Sequence, residues 1–163
     1  MIVRDATDDD WPGVWAIVEP VIRAADTFTW DPATDEATAR SKWMSGPPSR
    51  TFVAVDEDGT IVGTAEIHPN QGGAGSHIVN GGYMVHPEHR GRGVGRALGE
   101  HVIGQAADDG YRAMQFNAVA ATNTASIELW LKLGFEILTT IPAGFLHPTD
   151  GYVGLHVMYR PLR

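Results

Sequence analysis

Tyr83 to Gly99 reads YMVHPEHRGRGVGRALG, and two residue types in it carry chemistry. Gly91, Gly93 and Gly95 alternate through a short loop, and Arg90, Arg92 and Arg96 surround them. An apolar strand signal, Tyr83-Met84-Val85, precedes the loop. A helical spacing of Val94, Leu98, Val102 and Ala106 follows it. The loop therefore joins the end of a strand to the start of a helix. The first turn of a helix presents backbone N–H groups without intrahelical partners, at the positive end of the dipole. Glycines let that backbone take positive φ and approach a ligand closely. Together these features make a pyrophosphate cradle. A strand–turn–helix with glycines for tight packing is the plainer reading. Three arginines in a chain of net charge -8 weigh against it.

Two other phosphate motifs fail on residue type. A Walker A loop needs Gly-Lys-Ser/Thr after its glycines, and no such triplet follows here. The dinucleotide fingerprint needs GxGxxG and an acidic residue ending a second strand. Here the glycines are Gly91, Gly93 and Gly95, and Asp108-Asp109 close a helix instead.

Arg90-x-x-Gly93-x-Gly95, preceded by VHPEHRG, resembles the acetyl-CoA pyrophosphate loop of the GCN5-related N-acetyltransferases. The likeness covers essentially the whole chain. It implies acetyl-CoA as cosubstrate, held by Gly91, Arg92, Gly93, Val94, Gly95 and Arg96 with Arg90 beside them. The thioester is then expected along Met84-Val85, with the Val85 N–H stabilising the tetrahedral oxyanion. A second stretch, NTASIELWLKLGF from Asn123 to Phe135, resembles the family's later motif. Asn123 and Ser126 share a helix face one turn apart and are expected to hydrogen-bond the pantetheine arm. Asn123 could serve as a helix cap, as a cofactor ligand, or as both. Trp130 stands where relatives often carry a tyrosine acid. An indole is no such acid near neutral pH, but a thiol of pKa ~8.5 already leaves acceptably as thiolate.

The longer string FNAVAATNTASIELWLKLGF, Phe116 to Phe135, resembles fungal N-acetyltransferases of proline analogues and their bacterial relatives. That resemblance puts Asn117 against the acceptor or its water. Many relatives carry a glutamate base about five residues before the strand's last valine, and Asn80 stands there. An amide takes no proton, so Asn80 is left to orient an amine or water, or to be an ordinary strand residue. The acceptor pocket is expected to draw on Phe28, Trp30, Tyr83, Asn117 and Phe145. Phe28 and Trp30 sit in the loop ADTFTWDP, where they either line the pocket or pin the loop to the core. His86-x-x-His89 lacks an acidic third ligand, and no HExxH occurs, so no metal is expected. His68, His77 and His147 fall in or near expected loops; each could be a base, and each is more readily a surface histidine.

These residues need elements to hold them. Ile2–Arg4 reads as a strand. Trp11, Val14, Trp15, Val18, Val21 and Ile22 give a helix that Pro20 should kink or divide. A second helix is expected over about Thr34–Met44. Thr51–Val55 and Thr60–Ile67 alternate around an Asp-Gly turn, a hairpin signal. Gln71–Ser76 makes the tip of a second hairpin, with Ile78–Val85 as its return strand. A helix over about Gly93–Asp108 stops at Gly110. In the strand Ala113–Val119, Met114, Phe116 and Ala118 are expected to face the core, with Gln115 and Asn117 opposite. A helix over Asn123–Leu133 and strands at Phe135–Ile141 and Tyr152–Tyr159 finish the chain, the last two joined by AGFLHPTDG. Periodicity therefore predicts an α/β or α+β fold: a mixed sheet of six or seven strands with about four helices on both faces. A splayed central pair of strands comes from the resemblance alone.

Bulk properties bound the rest. The 163 residues suit one domain, 1–163, with 43% hydrophobic and 20% charged residues. No apolar run reaches 18 residues and the N-terminus lacks a signal-peptide core, so a cytoplasmic protein without membrane partners is expected. Without cysteine there is no Cys acyl-enzyme, so acetyl transfer would be direct, in a ternary complex. The net charge of -8 argues against nucleic-acid binding. The expected partner is a small-molecule amine such as an amino acid, an analogue or a polyamine. A peptide amine and a non-catalytic acyl-CoA-binding module are the alternatives. A homodimer is expected only because the family commonly forms one.

Overall fold

The computed structural model describes residues 1–163. Its strands are β1 (Ile2–Asp5), β2 (Arg50–Val55), β3 (Ile61–Pro69), β4 (Ile78–Val85), β5 (Ala113–Ala120), β6 (Glu136–His147) and β7 (Gly151–Pro161). Its helices are α1 (Trp11–Ala24), α2 (Glu36–Trp43), α3 (Val94–Asp108) and α4 (Thr124–Lys132). The strands form one sheet in the order β1-β2-β3-β4-β5-β7-β6. Every neighbouring pair is antiparallel except β4 and β5, which run parallel.

Each face of the sheet carries two helices. Val94, Leu98, Val102 and Ala106 of α3 and Trp130 of α4 pack on one face, with Phe52, Ile67, Val79, Met114 and Phe116. Val14, Ile17, Val18, Val21 and Ile22 of α1 and Ala39 and Trp43 of α2 pack on the other, with Val53 and Met84. No helix is long and apolar enough to cross a membrane.

Four local expectations change. Of the two outcomes expected at Pro20, division does not occur: α1 runs unbroken through it. Burial of six apolar side chains along the helix outweighs the one hydrogen bond proline removes. The strand expected to stop at Ile67 continues through His68 to Pro69. Pro69 has no N–H, but β2 has already ended where that N–H would point, since the β2–β3 pairing ends at Arg50↔Ile67. Ala118 is exposed rather than core-facing. Between Phe116↔Met158 and Val119↔His156, β5 holds one residue more than β7, and this bulge breaks the alternation. Finally, AGFLH is not a connection but part of β6. Its Pro142 and Gly144 fall within a register shift between Ile141 and Phe145 on the edge strand of the sheet, where a missing N–H is tolerated.

The start of α1 is pinned by a buried carboxylate. Asp10 receives both Arg4 guanidinium nitrogens at 2.7 and 2.9 Å and the Thr7 backbone N–H at 2.7 Å. The Arg4 hydrogen bonds, joined by that of Thr7, hold its pKa below the ordinary carboxylate value against a smaller effect of burial. A depressed folded-state pKa gives stability that is present above the unfolded value and lost as pH falls. Asp10→Asn should therefore cost about 1–2 kcal/mol at pH 7. In thermal melts the gap to the parent chain should close below pH ~4.

Candidate active site

The β4–β5 pair is joined at only Ile78↔Ala113 and Val79↔Met114, near the start of both strands. Beyond that they part. Ladder geometry then decides what faces the gap. His86 N–H bonds Val62 O at 2.9 Å and Ile78 O accepts Asn70 N–H at 2.8 Å, so even-numbered residues of β4 face β3. Hydrogen-bonding direction alternates along a strand. The backbone groups of Gly81, Tyr83 and Val85 therefore point to the side that β5 has left. The Asn80 side-chain oxygen closes over the Gly81 N–H at 2.8 Å. The Val85 N–H faces the gap, at the strand end that leads into the glycine loop.

The gap opens into a cleft of about 690 Å³, within the size range of small-molecule sites. Its first half is built by the loop and by α3 and α4. Gly91 and Gly93 hold φ of +75° and +80°, and a β-carbon at either would meet nothing within 4 Å. Both positions open onto the cleft, and their positive φ favours glycine. Gly93 is the α3 N-cap and brings no side chain to its N–H groups. Arg90 and Arg96 line the cleft. Arg96 also donates to Glu100 at 2.8 Å. Asn123 occupies the α4 N-cap, yet its side chain makes no cap bond and remains free for a ligand. It lines the cleft with Ser126, Leu129 and Trp130. His89 Nδ1 and Thr122 Oγ1, both on cleft-lining residues, are buried polar atoms without a protein partner. Such atoms are costly unless a ligand or water meets them.

The second half lies on the α1–α2 face. Phe28, Trp30 and Trp43 meet edge to face with ring centroids 5.9–6.5 Å apart. Trp43 is fixed by its indole N–H on Thr64 Oγ1 at 3.0 Å, and that hydroxyl bonds Phe52 O at 2.9 Å. Gly82 makes room for these rings, since a β-carbon there would lie 3.0 Å from Trp43 and 3.2 Å from Phe28. Directly opposite residues share a face, so the pairs Gly82↔Glu66 and Asn80↔His68 put Glu66 and His68 beside the aromatic trio. Glu66 is 9% exposed and its two oxygens are each 3.0 Å from His68 Nδ1. Asn117 lies at the β5 bulge. It accepts from Gln115 at 3.0 Å and donates to Asn70 at 2.8 Å, an amide chain that crosses from β5 to the end of the β3–β4 hairpin. From the β6–β7 tip, His147 reaches the cleft with Nδ1 taken by the Thr149 and Asp150 backbone N–H groups at 3.3 and 3.2 Å.

Comparison with known proteins matches residues 13–135 to the model of the acetyltransferase (GNAT) family. The chain belongs to that family. Two curated relatives and two solved structures place it further. It is 37% identical over 127 residues to N-acetyltransferase aca1 of Schizosaccharomyces pombe, which covers 77% of this chain but 54% of that protein. This chain thus spans about half the length of aca1. It is 30% identical over 146 residues to an L-methionine sulfoximine/L-methionine sulfone acetyltransferase of Pseudomonas paraeruginosa, covering 86% of this chain and 83% of the relative. A GCN5-related N-acetyltransferase from Kribbella flavida superposes with a TM-score of 0.95 at 51% identity, covering 98% and 96% of the two chains. The structure of yncA from Salmonella typhimurium with its cofactor acetyl-CoA superposes with a TM-score of 0.89 at 23% identity, covering 100% and 94%. The mixed seven-stranded sheet with four helices, parted between β4 and β5, is the GNAT fold.

Against this fold the sequence-derived site residues divide. Met84, Val85, Arg90, Gly91, Gly93, Val94, Gly95, Arg96, Asn123, Ser126 and Trp130 line one continuous cleft, together with Asn80, Asn117, Phe28 and Trp30. Arg92 is exposed and does not line it. Tyr83 lines the cleft from the α3–α4 side, its ring 4.6 Å from Trp130 and 5.8 Å from Phe116, across the sheet from the aromatic trio. Phe145 is buried in β6 opposite Val153 and does not reach the cleft; His147, two residues on, does. Glu66 and Trp43 are absent from the sequence-derived candidates, and His68 falls in or near an expected loop there. Glu66 and His68 stand at i and i+2 with Thr64 before them. That polar stripe on one strand face is the signal that could have found them.

Gly82→Ala should displace the Trp43 and Phe28 rings by a few tenths of an ångström. We expect this overpacking to cost about 1–3 kcal/mol, read as a lower Tm in thermal melts.

Proposed function

We propose that this GNAT chain transfers the acetyl group of acetyl-CoA to the amine of a small molecule, by direct attack in a ternary complex. One observation carries the reading: the unpaired side of β4, ending at the Val85 N–H, opens beside a loop of glycines and arginines at the start of α3. Acetyl-CoA supplies an activated thioester. Amides of Gly91 to Arg96, with Arg90 and Arg96, hold its pyrophosphate. Asn123 and Ser126 bond its pantetheine arm, and Trp130 packs beside it. The Val85 N–H receives charge that develops on the carbonyl oxygen, and being fixed in advance it needs no reorganisation. Asn117 and Asn80 orient the acceptor or a water. Phe28 and Trp30, with Trp43, hold the acceptor's apolar body. With no cysteine in the chain, a Cys acyl-enzyme has no support.

The acceptor is read as small because three bulky rings and the His147 tip close around that half of the cleft. The relatives named for methionine sulfoximine and its sulfone favour the same size of acceptor. We place the chain in the cytoplasm, where acetyl-CoA is made and used. A second copy of the chain is the proposed cover for the exposed apolar side chains Ile137, Leu138, Ile141, Leu146 and Tyr152 of the β6–β7 hairpin.

Thiol release from acetyl-CoA, followed across a panel of amino acids, their analogues and polyamines, tests the activity; no thermal stabilisation by CoA would sink the reading. Val85→Pro deletes one N–H that the β3 ladder does not use. It should leave the fold and CoA binding intact and lower kcat by roughly 10²–10³-fold. Arg90→Ala should instead weaken CoA by about tenfold with little effect on kcat.

A further inference from the structure

Asn80 and Trp130 stand where many GNAT relatives carry a base and an acid, so the acceptor's proton needs another route. The α1–α2 face of the cleft holds one. Glu66 is nine-tenths buried and sits 3.0 Å from His68 Nδ1 through both oxygens. A carboxylate only accepts hydrogen bonds, so Nδ1 carries the hydrogen and the lone pair of the neutral ring is on Nε2. A carboxylate that fixes a histidine's tautomer and orientation is how a general base is prepared.

We propose that Glu66 and His68 are the acid–base pair of this acetyltransferase, accepting the acceptor as its ammonium ion and removing one proton through His68 Nε2. The proposal rests on the acetyl-transfer reading above. The charges around the pair favour a cation. Asp26, from the loop after α1, also lines the cleft, and from β4 the Tyr83 phenol is held neutral, its pKa raised far above the ordinary value by burial and then by Glu66. The His147 ring approaches from the β6–β7 tip with Nδ1 occupied by backbone N–H groups. Of the cleft-lining arginines, Arg90 lies in the loop before α3 and Arg96 in the first turn of α3. Lys42 of α2 lies 5.2 Å from the Trp30 ring but does not line the cleft.

The step balances as follows. The ammonium R–NH3⁺ gives a proton to Nε2 of neutral His68, leaving R–NH2. Its lone pair forms the C–N bond at the thioester carbonyl carbon. The C–S bond breaks and its electron pair leaves on the CoA thiolate. The second proton from nitrogen ends on that sulfur, and His68 returns the first to solvent. The sum is R–NH3⁺ plus acetyl-CoA giving the acetamide, CoA thiol and one proton. Glu66 hydrogen bonding, and after it the Glu66 charge, hold the His68 pKa above its ordinary value against desolvation. The acid limb of the kcat profile should therefore lie above pH ~6.5. Removing the Glu66 charge should move that limb to lower pH.

Two acceptors of similar shape separate this role from simple packing. Phenethylamine is an ammonium at neutral pH and must lose a proton before attack; phenylhydrazine is already neutral. In an assay of thiol release, His68→Gln should lower kcat for phenethylamine by roughly 10²-fold. The loss for phenylhydrazine should stay within about threefold, and raising the pH should restore part of the phenethylamine rate. Glu66→Gln, nearly isosteric, should shift the phenethylamine acid limb downward. Stabilisation of each variant by acetyl-CoA in a thermal melt shows that it is folded. Equal losses for both acceptors in His68→Gln, or an unmoved limb in Glu66→Gln, would overturn the assignment. Thermal stabilisation of the parent chain by acetyl-CoA without thiol release from phenethylamine overturns the pair's role alone. No stabilisation by acetyl-CoA overturns the acetyl-transfer reading with it.

Discussion

The parting of β4 and β5 is the constraint on which the rest of this molecule depends. Two parallel strands in the middle of a sheet ordinarily satisfy each other's backbone groups along their length, because buried N–H and C=O groups left alone are costly. Here pairing stops after Val79↔Met114. The aromatic rings of Tyr83, Phe116 and Trp130 fill the α3–α4 side of the opening. The bulge at Asn117-Ala118 bends β5 away and turns Asn117 toward the opening on the other side. One of the released amides, Gly81, is satisfied locally by Asn80. The Tyr83 and Val85 amides farther along β4 face the opening.

The gap also separates two chemistries by the thickness of the sheet. On the α3–α4 side lie glycines, Arg90, Arg96 and the free N–H groups of a helix start, all suited to an anion. On the α1–α2 side lie Glu66, His68, an amide chain and three large rings, the half that the proposed function gives to the amine. In a chain of net charge -8 this sorting is local, so the anion loop works against the overall field and the carboxylate side with it. Under the proposed function, two reactants of opposite charge approach from opposite faces and meet at the strand end. Much of the rate advantage of such a site comes from that enforced meeting.

The supporting structure is rigid where the site needs it. Trp43 is held through Thr64 to the backbone of β2, so the aromatic trio is fixed to the sheet and not only to its loop. Gly82 is the one residue of β4 whose missing side chain lets those rings lie against the strand. Asn123 keeps its helix-start position without using its side chain as a cap, and loses local stabilisation that other N-cap residues provide. Thr122 and His89 keep unpartnered polar atoms in the same half of the cleft. Functional sites commonly hold such unsatisfied groups because a ligand meets them.

By itself the sequence determined the fold class and the place of the glycine–arginine loop between β4 and α3. Both depend on local rules: the spacing of apolar residues along a helix or strand, and glycines with arginines at a helix start. All seven strands and four helices fall where periodicity put them, apart from their ends. Those rules misplaced His68, Ala118 and Phe145, because each position was settled by a neighbouring strand rather than by its own segment. His68 stayed in β3 because β2 had ended beside Pro69. Ala118 turned outward because β7 matched three steps of β5 with two of its own. Phe145 went into the core because a bulge on an edge strand absorbed Pro142 and Gly144. The seat of Glu66 and His68 beside Trp43 and the exposure of the Val85 amide to the gap were decided only by tertiary structure. Each is a matter of strand register, and register is set by contacts between segments far apart in the chain, where no single stretch of sequence carries the information.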